Sequence, residues 1–203
     1  VGAVNVYLFK DYFSSAGTLS FVSIAQTIAV LLCAPFIKTL TTKFGKKEMS
    51  LVGLLIASAA YFFLFFLKNI DAMTFIYISF IGFIGFGLFN TVIWAFVTDV
   101  IDYQEYLTDL REDGTVYSVY SFARKVGQAL AGGIGGFAIA AVGYDATRDV
   151  QTDEALNGIH TLATLIPAAT YLIVLLILIF FYPLNKNRLA KMQEELAAKR
   201  EHK

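Results

Sequence analysis

An all-α integral membrane fold is the architecture this 203-residue sequence predicts. Three observations carry it. Only 16% of the residues are charged and 57% are hydrophobic, where a soluble domain carries about 25% charged residues; the mean hydropathy is +0.64. The charges are also segregated, leaving uncharged runs at 12–37, 49–67, 72–98, 126–144 and 155–185, each close to or above the roughly 20 apolar residues that cross a ~30 Å hydrocarbon core. Finally, five such runs in so short a chain leave no soluble fold with enough polar surface to cover them. Strands are not expected, because an open sheet edge in lipid leaves backbone groups unpaired.

Taken in order, residues 1–9 (VGAVNVYLF) are apolar but rise only ~13 Å as a helix, so the chain is expected to begin inside a truncated first helix. No signal-peptide pattern precedes it. Residues 18–38 form the next helix, followed by the basic loop Thr41-Thr42-Lys43-Phe44-Gly45-Lys46-Lys47. A helix over 49–67 leads through Lys68-Asn69-Ile70-Asp71 to a helix over 72–98. A polar loop, 99–113, precedes a span over 114–142, and a charged loop, 145–154, precedes the last span over 159–182. Pro183 marks the membrane exit, so residues 1–182 make the bundle. The charged tail, 183–203, has a helical pattern at Leu189, Met192 and Leu196 that suits a solvated or surface-packed helix.

Orientation follows from the positive-inside rule. The segments 38–48, 99–113 and the tail hold 11 Lys/Arg, against 3 (Lys10, Lys68 and Arg148) on the opposite side. The expected placement is the cell inner (plasma) membrane, multi-pass, with the 38–48 loop and the C-terminus in the cytoplasm. A net charge of zero gives no attraction to nucleic acid. The single Cys33 cannot form an intrachain disulfide, and with only His160 and His202 beside it no metal cluster is expected. No nucleophile elbow or zinc-protease motif is present, so no catalytic residue is expected.

Three features between residues 83 and 136 point to chemistry. On the 114–142 helix, Ser118, Ser121, Lys125, Gln128, Gly132 and Gly136 fall within about 80° of arc, a continuous polar or small-residue face centred on Lys125. A charge at that depth usually faces a bundle interior or water-filled cavity, where an amine beside hydroxyls and an amide suits a polyhydroxylated ligand or an acidic partner. If instead the span is only 126–144, Arg124 and Lys125 are ordinary cytoplasmic flanks. On the 72–98 helix, Phe83, Gly87, Asn90, Trp94 and Thr98 share a side; Trp94 is either an interface anchor or, with Asn90, a sugar-binding wall. Asp99, Asp102 and Glu105 rotate about 60° from one to the next on a helix. They form a fan: a solvated helix end, an ion-pair network with Arg111 and the basic 38–48 loop, or, if they converged, a divalent-metal site. Glycines at 82, 85, 87, 132 and 136 allow close helix packing.

The stretches TDVIDYQEY (98–106), LREDGTVYSVYSFARKVGQALAGG (110–133) and FYPLNKNRLAKMQEELAAKR (181–200), with TKFGKK after the second helix, resemble the C-terminal half of the glycoside–pentoside–hexuronide:cation symporters of the major facilitator superfamily. The looser similarity covers the whole chain. The resemblance implies a C-terminal six-helix half with its first helix truncated, one of two halves that rock about a sugar bound near mid-membrane. It makes Lys125 the functional lysine and Asp99, Asp102 and Arg111 the cytoplasmic charge cluster. Substrate contacts are then expected from Lys125, Trp94, Asn90, Ser121 and Gln128, with no metal and no cofactor. The partners implied are a sugar or glycoside, the lipid bilayer, an N-terminal six-helix half, and a coupling cation (Na⁺ or H⁺) bound mainly in that other half. The alternative is a non-transporting membrane sensor or scaffold derived from a transporter half, using the tail to bind a partner.

Overall fold

The computed structural model describes residues 2–201. Among them there is no strand. Helix α1 (Gly2–Tyr7) relaxes into a wider π turn over Leu8–Tyr12, where the Phe13 N–H reaches back to the Leu8 carbonyl (2.9 Å). A 3₁₀ turn, Ala16–Thr18, then leads into α2 (Leu19–Phe44), α3 (Lys46–Phe66), α4 (Ala72–Thr108), α5 (Asp113–Ala141), α6 (Asp153–Phe181) and α7 (Lys186–Glu201). The segment expected to open inside a helix is thus helical from Gly2; Val1 and the tail residues 202–203, His202 among them, lie outside the described residues.

Local chemistry sets the boundaries. Between α2 and α3 only Gly45 departs from helix, at φ 103°, a region that costs a residue with a Cβ. The basic segment read as a loop is therefore mostly helical. Asp71 caps α4 by accepting from the N–H groups of Met73 and Thr74, both at 3.0 Å, and Thr152 caps α6 through the Ala155 N–H at 3.2 Å; each satisfies donors that the first turn leaves open. The largest departure from expectation is at the far end of α4. The polar loop 99–113 is helix to Thr108, and only the four residues 109–112 turn, opening on Asp109 at φ 57°. Charges read as loop-forming are paired in the structure, and helix tolerates them well once partners are in reach. At 37 residues, α4 is ~55 Å long, far more than the bilayer core requires.

Helix α3 is the centre, packed on α4 and α6, with α2 on the outer side of α4. The α3–α4 crossing is closest at Gly53 and Gly85, where a Cβ on either would run into the other's carbonyl oxygen. Nearby, Ser58 Oγ donates to the Ala168 carbonyl at 2.9 Å, tying α3 to α6. At the opposite end from Gly45, His160 is buried and stacks on Tyr12 at 5.1 Å. Four helices are long and apolar enough to cross a membrane: α2 with its leading turn, α3, α4 and α6. The protein is a multi-pass membrane protein. The fifth expected span, α5, has the length, at 29 residues; Arg124, Lys125 and its many glycines make it less apolar than the others.

Candidate functional site

Helix α5 stands apart. Of its 29 residues only Ile139 is buried, and Val119, Phe122, Leu130, Ile134 and Phe137 are 58–80% exposed. Near its C-terminal end Gly158 of α6 seats Val142, and Gly135 approaches Ala3. Near its start it meets α4 through aromatic rings: Trp94 stacks on Tyr117 at 6.1 Å with 20° between planes, and meets Tyr120 edge-on at 5.3 Å. Between those contacts the polar face is open. Asn90, Ser121, Lys125 and Gln128 make no side-chain hydrogen bond or ion pair among the described residues. Lys125 and Gln128 are exposed, and Ser121 is half-buried. Ser118 turns back on its own helix, donating to the Gly114 carbonyl at 2.7 Å. No group of three His, Cys, Asp or Glu among the described residues is placed to hold a metal ion.

The face drawn for α4 divides. Phe83 and Gly87 are buried, Gly87 against Cys33 of α2, whereas Asn90, Trp94 and Thr98 are exposed. The reason is helical phase: fifteen residues of α-helix turn the face by about 60°, enough to carry it out of the α2–α4 seam. Tyr117 and Tyr120 escaped sequence reasoning because their spacing on α5 follows neither its polar arc nor its apolar stripe; Trp94 is what gathers them. Of the glycines, 82, 85 and 87 sit at packed crossings, whereas 132 and 136 have nothing within 4 Å.

At the end of the bundle that carries Gly45, the acidic fan serves two separate sets of cations. Asp99 does not join Arg111. It is buried on α4, 2.6 Å from Lys46 Nζ on α3, and accepts from the Tyr182 hydroxyl at 3.4 Å. Two turns on, Arg111 pairs with Asp102 at 2.8 Å, Glu105 at 2.9 Å and Asp113 at 3.0 Å. The rotation between successive acids explains the division, since Asp99 and Glu105 point about 120° apart. Sequence reasoning missed the third party, helix α7. Arg200 pairs with Glu105 and with Asp102, the latter at 3.3 Å; Lys199 pairs with Asp109 at 2.9 Å; the Tyr106 hydroxyl donates to Glu195 at 2.7 Å. Met192 and Leu196 are buried beneath these pairs. Hydrogen bonds to Asp102 and then Glu105 hold the Arg111 guanidinium more firmly protonated than usual; Glu105 does the same for Arg200, and Asp109 for Lys199. Lys47 closes the end of α6 by donating to the Tyr182 carbonyl at 2.6 Å.

Such an assembly has no nucleophile–base pair and no metal centre among the described residues. It offers an open polar and aromatic surface on two apolar helices, and a set of ion pairs that join α4 to α3 and α7. The chain is 30% identical over 197 residues to the glucuronide carrier protein homolog of Escherichia coli, covering 97% of this chain and 43% of that relative. It is 31% identical over 194 residues to the putative sulfoquinovose importer of E. coli, covering 96% and 41%. To an uncharacterized symporter of Bacillus subtilis it is 35% identical over 164 residues, covering 81% and 35%. The chain thus spans about two-fifths of the length of the first two relatives. A family model for MFS/sugar transport proteins matches residues 2–186, and the chain belongs to that transporter family.

Proposed function

We propose that this chain is the C-terminal six-helix half of a sugar transporter of the inner membrane, with α7 in the cytoplasm, working as a cation-coupled glycoside symporter by alternating access. The observation that carries the reading is the open face of α4 and α5. Asn90, Trp94, Tyr117, Tyr120, Ser121, Lys125 and Gln128 place donors, an amide and aromatic rings on otherwise apolar helices, without partners of their own for the amide, amine and carboxamide groups. Polar groups in a membrane are retained where they face a bundle interior or cavity, and flat rings beside hydrogen-bonding groups suit a sugar's C–H face and hydroxyls. The relatives named for glucuronide and sulfoquinovose support a sugar substrate. The relative named a symporter supports coupling; the Na⁺ or H⁺ would bind mainly outside this chain. Lys46–Asp99 and the Arg111 cluster would close the cytoplasmic side in one state and part in the other.

The test is Lys125→Ala in the full-length protein. Sugar accumulation should fall about tenfold or more, the loss expected for a charge-assisted hydrogen bond, while membrane insertion is unchanged. Accumulation at the parent level would overturn the assignment of Lys125.

A further inference from the structure

Where α7 turns back along the extension of α4, the two enclose a cavity of about 280 Å³. Tyr103, Tyr106 and Leu107 line it from α4, and Leu184, Arg188 and Lys191 from the chain after α6. Every other described cation of α7 has a partner: Lys186 donates to the Lys43 carbonyl at 2.7 Å, Lys191 faces Glu195 at 3.8 Å, and Lys199 and Arg200 hold the acids of α4. The Arg188 side chain alone among them makes no ion pair or hydrogen bond within the described residues, yet it faces this cavity. The Tyr103 hydroxyl is likewise without a hydrogen-bond partner. Glu195 is the one carboxylate of the wall, and it is already committed to the Tyr106 hydroxyl and to Lys191. The wall therefore presents an excess positive charge.

The position of the cavity is equally informative. Phe180 and Phe181 end α6 at 76% and 81% exposed, Pro183 follows, and the next residue, Leu184, is buried and forms part of the cavity wall. The cavity wall thus begins three residues beyond the aromatic end of a membrane span, at the level of the lipid headgroups.

We propose that this cavity binds the phosphodiester of an anionic phospholipid headgroup. The Arg188 fork takes two phosphate oxygens, Lys191, shared with Glu195, adds to the positive field, Tyr103 donates its hydroxyl, and Leu184 lines the cavity on the side of the membrane span, where the glycerol would lie. Basic pockets between helices on the cytoplasmic side are suited to such headgroups. Bound there, the lipid would tie α7 to α4 through a molecule of the membrane itself. The inference rests on the pocket and on the membrane orientation proposed above, and does not depend on which solute the protein carries.

The experiment places the full-length protein in phosphatidylcholine nanodiscs with and without phosphatidylglycerol, and counts retained phosphatidylglycerol by native mass spectrometry. The parent protein should retain it. Arg188→Gln should weaken retention about tenfold, the worth of a hydrogen-bonded charge pair, and Tyr103→Phe should weaken it less. Arg148→Gln, which removes the same charge at the opposite end, should leave it unchanged. Glycerol phosphate and inorganic phosphate serve as the soluble arm. If either displaces the lipid at equal concentration, the ligand is a soluble anion and the lipid assignment falls. Retention unchanged in both Arg188→Gln and Tyr103→Phe overturns the site altogether. Tyr103→Phe keeps the ring and its packing, so it decides the matter should Arg188→Gln fail to insert.

Discussion

Lys46 and Asp99 form a pair that is sheltered from one side only. The carboxylate is almost fully withdrawn from solvent, at 2% side-chain exposure, whereas its lysine partner keeps 28%. Removing one member strands the other, so Asp99→Asn and Lys46→Met should each destabilise the protein. The double variant should recover part of the loss, with a coupling energy of about 1–3 kcal/mol from denaturation in detergent. At Gly85 the two nearest neighbours of an added Cβ are backbone atoms of Gly53 and Ala57, which cannot move aside as a side-chain tip would. Gly85→Ala is expected to cost about 1–3 kcal/mol, read as a lower thermal midpoint, while Gly114→Ala, with open space around it, should not lower it. Individual residues were legible in the sequence where they break a pattern: Lys125 and Asn90 stand out in apolar runs. Tyr117 and Tyr120 did not, because an aromatic residue on a membrane helix is commonplace until a neighbour such as Trp94 is placed against it.

Among elements, the long helices were readable from uncharged runs, and their ends were not. Residues 99–108 carry the composition of a loop, and what makes them helical is non-local, namely cations delivered by α3, by the turn after α4 and by α7. The same holds for α7, whose pattern of Leu189, Met192 and Leu196 announces a helix without saying what it rests on. Its hold on α4 combines the buried Met192 and Leu196 with ion pairs whose cations are about half exposed, so Arg200→Gln should raise hydrogen exchange across α7, and high salt should do part of the same in the parent protein. The start of α4 depends on acid instead. Hydrogen bonds from Thr74, through its hydroxyl and its N–H, keep the Asp71 carboxyl below its usual range. A carboxyl lowered on folding stabilises the fold at pH above its unfolded value and stops doing so as the pH drops through its folded value. Exchange protection of the first turn of α4 should therefore hold at neutral pH and fade on acidification below about pH 4; Asp71→Asn should show weaker protection already at neutral pH and no such fading.

At the scale of the whole molecule, α4 is a single uninterrupted helix crossing a tight seat. From the Gly53–Gly85 contact to Thr108 it runs ~35 Å, and from the same contact back to Ala72 only ~20 Å. If the seat acts as a fulcrum, the two arms are unequal. A nudge of 1 Å at the Ala72 tip would then swing the Thr108 tip by about 1.8 Å in the opposite sense, and Asp102 and Glu105 by about 1.3–1.5 Å; Arg111, in the turn attached to α4, would travel with them, so the stroke would bear on their pairs with Arg200 of α7. The helix would work as mechanical gearing, converting a small displacement at one membrane face into a larger, reversed stroke at the other.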